Sequence, residues 1–435
     1  MSTGVNRRRA LVMADQGISS LSNVVVSIFA ARSLSSDGFG AFGLAVVVCL
    51  LVQGTARAMI GEPLLSRFSA ADAATRGRLV PDILGAALLL AAIGAGAVAA
   101  GGLAVGGAAG SALLALTPVL PLVLLHDTWR YVFIIDRPGA ALAADLVWMV
   151  AVLAVLPFAP DGAGPAWFVV AWGATAGLGA LAGTVLGRSS LGRPRPLTWI
   201  TTNRDMGTRF LGEFATGQAV GQVVLVAVGA IAGLAALGAV RAAQVIYGPL
   251  NTVHQGIYLA LVPEGARADG GSHLRRLMVK ASIALSGVAA VWMLVVLLVP
   301  DSWGTALFED TWNEAGDIML PMGLAMIAGS AATGGFAGVR ALGAARESLR
   351  ARLRTVGPQL VLPLAGAAAG AGVGYAVGFG LGHMVSAMIW WSAFGTALAA
   401  GREAHTEVAG AGEATALAAP SPTGTSQRSE GRTIA

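Results

Sequence analysis

Long apolar runs alternate with short polar connectors along most of the chain. Each run approaches the 20 or so mostly apolar residues that a helix needs to cross a bilayer, so the pattern predicts an all-α polytopic membrane protein with about 12 transmembrane helices. Only Val377 and Gly378 separate the last two runs, which predicts a tight turn there. The predicted spans are residues 11–31, 39–61, 81–105, 111–135, 139–158, 166–187, 211–232, 236–262, 279–299, 315–339, 356–376 and 379–400.

Polar side chains recur at helical spacing inside the first run. A charged side chain that faces hydrocarbon costs about 2.5–3.5 kcal/mol even on the more lenient insertion scales. This side of the helix is therefore expected to face other helices or a water-filled cavity. The residues that lie four positions apart on it are Asp15, Ser19, Asn23 and Ser27.

A second polar stripe lies in the eighth run, at steps of three or four residues. If the two halves of the chain are related, spans one, two, seven and eight would line a central cavity. For an isolated polar residue the alternative is a hydrogen bond to a neighbouring helix, which is a common packing contact in membranes. The stripe consists of Arg241, Gln244, Gly248, Asn251 and Gln255.

Composition excludes an ordinary soluble domain. Of the 435 residues 55% are hydrophobic and 12% charged, and the 60 glycines suit close helix packing in lipid. The formal net charge is +5, but its arginines lie in short connectors, which indicates membrane topology and no nucleic-acid binding. The single cysteine, Cys49, cannot form an internal disulfide, and no metal-ligand or catalytic spacing is present. No metal, cofactor or enzymatic activity is predicted.

The arginines fall in alternate connectors, for example at Arg67, Arg137 and Arg267, whereas the connectors between them carry acidic residues such as Asp161 and Asp301. By the positive-inside rule, the arginine-bearing connectors are cytoplasmic. We therefore predict a multi-pass protein of the cell inner (cytoplasmic) membrane with both termini in the cytoplasm.

The longest connector contains an Arg-Pro-Arg-Pro motif and divides the spans into six and six. A shift of 198 residues places Asp15 on Glu213 and Gly40 on Gly238, which indicates an internal repeat. Two six-helix lobes around a central cavity are therefore expected. The polar, Ser/Thr/Gly/Pro-rich end predicts a disordered cytoplasmic tail. The predicted units are an N-terminal lobe (1–187), a cytoplasmic linker (188–210), a C-terminal lobe (211–402) and the tail (403–435).

The first quarter of the chain carries a distinctive set of motifs: Asp15-Gln16, Ser20, Asn23, Ala31-Arg32-Ser33-Leu34 and Phe39-Gly40-Ala41-Phe42. With these residues it resembles the opening of bacterial polysaccharide flippases in the multidrug/oligosaccharidyl-lipid/polysaccharide exporter superfamily. Departures from that pattern include Val24, where the family often has Phe, and Ser35, where it often has Gly.

The resemblance implies a transporter that flips a polyprenyl-pyrophosphate-linked oligosaccharide across the bilayer for cell-surface polysaccharide biosynthesis, by alternating access. A glycan polymerase or glycosyltransferases would be its partners. Arginine suits the pyrophosphate because it stays charged and binds phosphate oxygens bidentately. We expect Arg57 and Arg130 to capture the head group and Arg32 and Arg241 to release it. The other candidate substrate-binding residues are Asn23, Gln244 and Asn251, and the candidate ion-coupling residues are Asp15, Glu213 and Asp127.

Several alternatives remain open at this stage. Arg57 could pair with Glu62, and Arg130 with Asp127 three residues earlier, as purely structural ion pairs. Two other functions are a multidrug or toxin extrusion antiporter on the same fold, and a membrane glycan polymerase or ligase. The carboxylates also have simpler partners available, Arg9 for Asp15 and Arg209 for Glu213.

Overall fold

The structure is a computed structural model. It describes the backbone of residues 2–69, 71–188, 191–268 and 270–417, and most side chains between residues 7 and 400. The described part is helical and contains no strand, which confirms the all-α prediction. The helices are α1 (Ser2–Ser33), α2 (Ser36–Ala56), α3 (Glu62–Phe68), α4 (Ala73–Val105), α5 (Gly107–Asp136), α6 (Pro138–Val155), α7 (Pro165–Leu186), α8 (Pro196–Thr202), α9 (Arg204–Thr216), α10 (Gln218–Ala232), α11 (Leu234–Ala266), α12 (Gly271–Leu297), α13 (Asp301–Phe308), α14 (Asp310–Ala341) and α15 (Ala345–Leu417), with a π-helical turn (Arg57–Gly61) between α2 and α3 and a 3-10 turn (Leu156–Phe158) after α6.

Most of these helices can cross a membrane. Among the described residues, nine are long and apolar enough, and the pair α9 and α10, bent by 48° at Gly217, makes a tenth. The apolar part of α15, Ala345–Ala400, has 56 residues and is broken at Gly370 and Ala371, so it is long enough for two passes. α11 lies outside this count but packs between α2 and α14. The fold is that of a polytopic helical membrane protein, as predicted.

The helices before and after residue 190 pack mainly within their own half of the chain. In the first half α5 contacts α2, α4, α6 and α7, while α1 lies against α6. In the second half α14 contacts α11, α12 and α15. The halves meet along α2, which packs against α10 and α11, and along the π-helical turn, which packs against α9. We call this contact the seam.

At one end of the seam, α2 and α11 cross at two glycines. A side chain at Gly40 would overlap the carbonyl oxygen of Leu234, and a Cβ at Gly238 would lie 2.7 Å from that of Ser36. The 198-residue shift maps Ser36 onto Leu234 and Gly40 onto Gly238, so the two contacts are equivalent. Reciprocal contacts of this kind define a two-fold interface. The glycine crossing therefore joins positions that the 198-residue shift relates.

The turn between the last two spans is not where the sequence predicted it. The chain reverses at Gly370 and Ala371, not at Val377 and Gly378. Gly378 is instead a packing residue of the returning arm, because a Cβ there would overlap the carbonyl oxygen of Leu362 on the first arm. Glycine marks both turns and close helix contacts, so its presence alone could not distinguish them.

The predicted linker and the predicted disordered tail both contain helix. The connector 188–210 includes α8, which packs against α4, and the start of α9. α15 continues through the first part of the predicted tail to Leu417, in a stretch rich in Ala and Glu, which are good helix formers. Residues 418–435 lie outside the described part of the chain.

Candidate functional site

Six ionisable side chains from four helical segments meet in the interior of the first half. Five of them are buried, and their side chains are at most 10% exposed. Burying so many charges in a membrane protein is costly unless they are paired, so such groups are a functional-site hypothesis by default. We call this group the buried charge network, and its members are Asp15 on α1, Arg57 at the π-helical turn, His126, Asp127 and Arg130 on α5, and Asp145 on α6.

Arg130 is the centre of the network. Its Nη2 donates to Asp15 Oδ2 at 2.7 Å, and its Nε lies 3.1 Å from Asp145 Oδ2. Asp127, the partner suggested by sequence spacing, is 3.8 Å away. The main partners of Arg130 are therefore on α1 and α6. The side chain of Arg9, the partner that the sequence offered for Asp15, lies outside the described residues.

Arg57 binds Asp127 through two hydrogen bonds. Nε donates to Oδ2 at 2.8 Å and Nη2 donates to Oδ1 at 2.6 Å, the bidentate geometry in which arginine binds carboxylates most strongly. Glu62 is therefore not its partner. The side chain of Arg57 is 37% exposed, which makes it the accessible member of the network. It begins the π-helical turn, and such turns are frequent at functional sites because they change where side chains point.

His126 and Asp145 form the most enclosed pair. Their atoms Nε2 and Oδ1 are 2.7 Å apart, and the imidazole packs edge-on against Trp148. Sequence analysis did not select Asp145 as a site residue. The available signal was its position as the only carboxylate in the apolar run 139–158, where a charge is rare unless it has a partner.

The network is electrostatically unbalanced. It contains three carboxylates and two guanidinium groups, so with a neutral imidazole it carries one net negative charge. Four of its buried atoms make no hydrogen bond within the described part of the chain: Asp15 Oδ1, His126 Nδ1, Arg130 Nε and Asp145 Oδ2. The last two still face each other as an ion pair at 3.1 Å. The arrangement can therefore accept one positive charge, for example a proton, without exceeding neutrality.

Arg241 lies at the seam and has a different environment. Its side chain packs on Gly43, whose Cβ would lie 2.9 Å from Arg241 Cγ, and Nη1 donates to Gln244 Oε1 at 2.9 Å. No carboxylate of the described residues lies within salt-bridge distance of it. The guanidinium group of Arg241, bound to Gln244, thus lies between the two halves of the chain and has no counter-ion among the described residues.

The remaining predicted site residues have other environments. Arg32 is half-exposed and 3.9 Å from Glu309, while Asn23 on α1 accepts a hydrogen bond from the indole of Trp172 on α7 at 3.2 Å. Asn251 and Glu213 are exposed on α11 and α9.

Comparisons with known proteins identify the fold. No protein-family model matches the sequence, and no curated protein matches it. An inward-facing multidrug resistance MATE family transporter of the MOP superfamily has 13% identity and a TM-score of 0.64, over 90% of this chain and 99% of that chain. The lipid II flippase MurJ, in an inward closed conformation, has 9% identity and a TM-score of 0.68, over 88% and 86%.

A third structure extends the comparison to an archaeal protein. A MOP superfamily transporter from Pyrococcus furiosus has 13% identity and a TM-score of 0.54, over 91% of this chain and 95% of that chain. All three are membrane transporters or flippases that are matched over most of their length. The chain described here therefore has the fold of the MOP superfamily transporters.

Proposed function

We propose that the chain is a membrane transporter of this superfamily that flips a polyprenyl-pyrophosphate-linked oligosaccharide for cell-surface polysaccharide biosynthesis. The observation that carries the proposal is Arg241, a cation at the seam with no carboxylate partner among the described residues. A pyrophosphate would supply the missing negative charge, and the fork of the guanidinium can bind two of its oxygens. A MurJ-like fold suits a lipid-linked cargo, since the structure named for that protein is a lipid II flippase.

Arg57 would be the second contact for the pyrophosphate. Gly43, which packs against Arg241, lies on α2, and Arg57 follows it 14 residues later on the same continuous helical segment. At 1.5 Å per residue, the two arginines are therefore about 20 Å apart along the seam. Opening the seam at either end would expose one of them at a time. Arg130 would instead hold the network together, because its guanidinium group is already neutralised by the carboxylates of Asp15 and Asp145.

We expect Arg241→Ala to weaken binding of the lipid-linked oligosaccharide by roughly ten- to a hundredfold, because one charge-assisted hydrogen bond contributes about 1.5–3 kcal/mol. Arg241→Lys should recover only part of the loss, because lysine lacks the bidentate fork. The measurement is flipping in vesicles, normalised to folded protein. Arg354→Ala, an exposed arginine of α15, is the matched control. Equal flipping by Arg241→Ala and this control would remove Arg241 from the proposed site.

A multidrug or toxin extrusion antiporter is the second candidate, and the network favours it. Its excess carboxylate suits the uptake of a proton or an organic cation, and MATE transporters share the fold. An antiporter of this kind should export cationic dyes from cells in a manner abolished by Asp145→Asn. A flippase should leave dye accumulation unchanged. A glycan polymerase or ligase ranks third, because the neighbouring structures named above are transporters.

We also propose that both termini and the connector 188–210 are cytoplasmic, with two lobes on either side of that connector. This predicts that a cysteine introduced by Ser302→Cys, in a Cys49→Ser background, reacts with a membrane-impermeant maleimide in intact spheroplasts. Ser302 is exposed in α13, at the opposite end from the arginine-bearing connectors. Thr208→Cys on α9 should react only after lysis. The reverse pattern would invert the topology.

A further inference from the structure

A groove with a cationic rim lies on the surface of the second half, away from the seam. It runs along one face of α12 and is closed on its other sides by α14 and α15. Two adjoining cavities of about 510 and 340 Å³ share Arg275 and Val279. We call it the basic groove. Its rim is formed by Arg275, Arg276 and Lys280, and its walls by Val279, Ile283, Ala331 and Trp391.

The rim is strongly positive. Arg275, Arg276 and Lys280 lie within six consecutive residues, and the whole of α12 contains no carboxylate. None of the three makes a salt bridge or a side-chain hydrogen bond with the described residues. Lys280 is also the only lysine of the chain. The rim therefore has no counter-ion among the described residues and is free to bind an anion from outside the chain.

The interior of the groove needs an apolar occupant. Its hydroxyl and indole groups are already satisfied by the backbone of α14: Ser282 donates to Ala331 O at 3.1 Å, and Trp391 donates to the same oxygen at 2.8 Å. Ser286 donates to Ile327 O at 3.4 Å. The side chains that line the interior therefore have no unpaired hydrogen-bonding group, and the apolar side chain of Ile283 is 67% exposed at the edge of the groove. A molecule that fits both regions is anionic at one end and apolar at the other.

The length of the groove matches one leaflet of a bilayer. From Arg275 to Ser286 it follows 11 helical steps, or about 16 Å. Half of a hydrocarbon core of about 30 Å is about 15 Å. Basic pockets between transmembrane helices are a known form of acidic phospholipid site. A polyprenyl chain would extend beyond the groove, whereas one acyl chain of a phospholipid ends within it.

We propose that the basic groove binds an anionic phospholipid of the surrounding bilayer, with its phosphate on Arg275 and Lys280 and one acyl chain between Ile283 and Trp391. The site is independent of the transported substrate and of the function proposed above. It would fix α12 against α14 and α15 and make the stability of the second half depend on lipid composition.

The test uses the full chain in detergent and measures retained lipid by native mass spectrometry, with dioleoyl phosphatidylglycerol as the probe. We expect one phosphatidylglycerol to be retained in preference to phosphatidylcholine. A basic residue near a membrane surface contributes about 1 kcal/mol to the binding of anionic lipid, so the loss of two should weaken binding about thirtyfold. The double variant Arg275→Ala and Lys280→Ala should therefore lose the bound phosphatidylglycerol. The control is the double variant Arg346→Ala and Arg354→Ala, which removes the same charge from exposed positions of α15.

A second variant separates the groove from simple charge attraction. Val279→Trp fills the point where the two cavities meet and keeps every charge, so it should also lose the lipid. The difference in Tm between samples with and without phosphatidylglycerol, measured for each variant, tests for lipid binding even where the variant itself is less stable. Equal retention by both double variants, unchanged retention by Val279→Trp, or equal retention of phosphatidylcholine would overturn the proposal. Displacement of phosphatidylglycerol by an equimolar polyprenyl phosphate would also overturn it and assign the groove to the substrate.

Discussion

Gly40→Val will hold α2 and α11 apart at the end of the seam where they cross. The new side chain would overlap the carbonyl oxygen of Leu234, and backbone cannot move aside as a flexible side chain can. Overpacking of this kind costs typically 1–3 kcal/mol. Because that cost falls on the closed arrangement, the population closed at this end should drop roughly ten- to a hundredfold.

The separation can be measured by electron–electron resonance between spin labels on Asp37→Cys in α2 and Ala235→Cys in α11, in a Cys49→Ser background. Gly40→Val should lengthen the distance and stop transport at unchanged protein abundance. Gly96→Val is the control, since it introduces the same residue into α4 where nothing lies within 4 Å of the new Cβ. An unchanged distance for Gly40→Val would show that the glycine crossing does not govern the seam.

The reciprocal partner gives an independent check. Gly238 is related to Gly40 by the internal shift, and a Cβ there would meet the carbonyl oxygen of Ser36 at 2.7 Å. Gly238→Val should therefore open the same end. In the double variant, the increase in distance should be no larger than in Gly40→Val alone. Once the first valine has separated the helices, the second valine no longer contacts the opposite helix.

Arg130→Ala should have the largest effect on stability. It leaves Asp15 and Asp145 buried without their guanidinium partner, and removing one member of a buried ion pair costs about 3–5 kcal/mol. We expect a low yield of folded protein and a reduced Tm in detergent. Arg350→Ala breaks an exposed pair with Glu347 at 3.6 Å and should cost about 0–1 kcal/mol.

Neutralising the carboxylates tests the explanation. Combining Arg130→Ala with Asp15→Asn and Asp145→Asn should recover part of the lost stability, because no unpaired charge then remains at those positions. If Arg130→Ala were as stable as Arg350→Ala, the network would not hold the first half together. Arg57→Ala should be milder for stability, because Asp127 keeps the guanidinium of Arg130 within 3.8 Å, and should instead lower flipping per folded molecule.

Hydropathy and length were enough to predict the helical membrane fold. A span is a local property of about 20 residues, because every backbone polar group in lipid must be satisfied within its own helix. The same local signal identified the polar stripes of α1 and α11. Comparison of the two halves also gave the internal shift, which relates Gly40 to Gly238, and the structure places both glycines where α2 and α11 cross.

The partners of the charges could not be read from spacing. Arg130 and Asp15 are 115 residues apart, and Arg57 and Asp127 are 70 apart, so their contacts depend on how α1, α2 and α5 pack. Spacing suggested Glu62 and Asp127 instead, because only near neighbours on one helix are visible in a sequence. Asp145 was overlooked although it is the only carboxylate of the apolar run 139–158.

The sequence by itself determined that the chain is a helical membrane protein and that charged residues lie within its apolar runs, since both follow from the cost of polar groups in hydrocarbon. Only the tertiary structure decided which charges neutralise one another. It enclosed Arg130 between two carboxylates and left Arg241 without one within the described chain. The physical reason is that the Coulomb energy of a pair depends on separation in space, which helix packing sets and sequence distance does not.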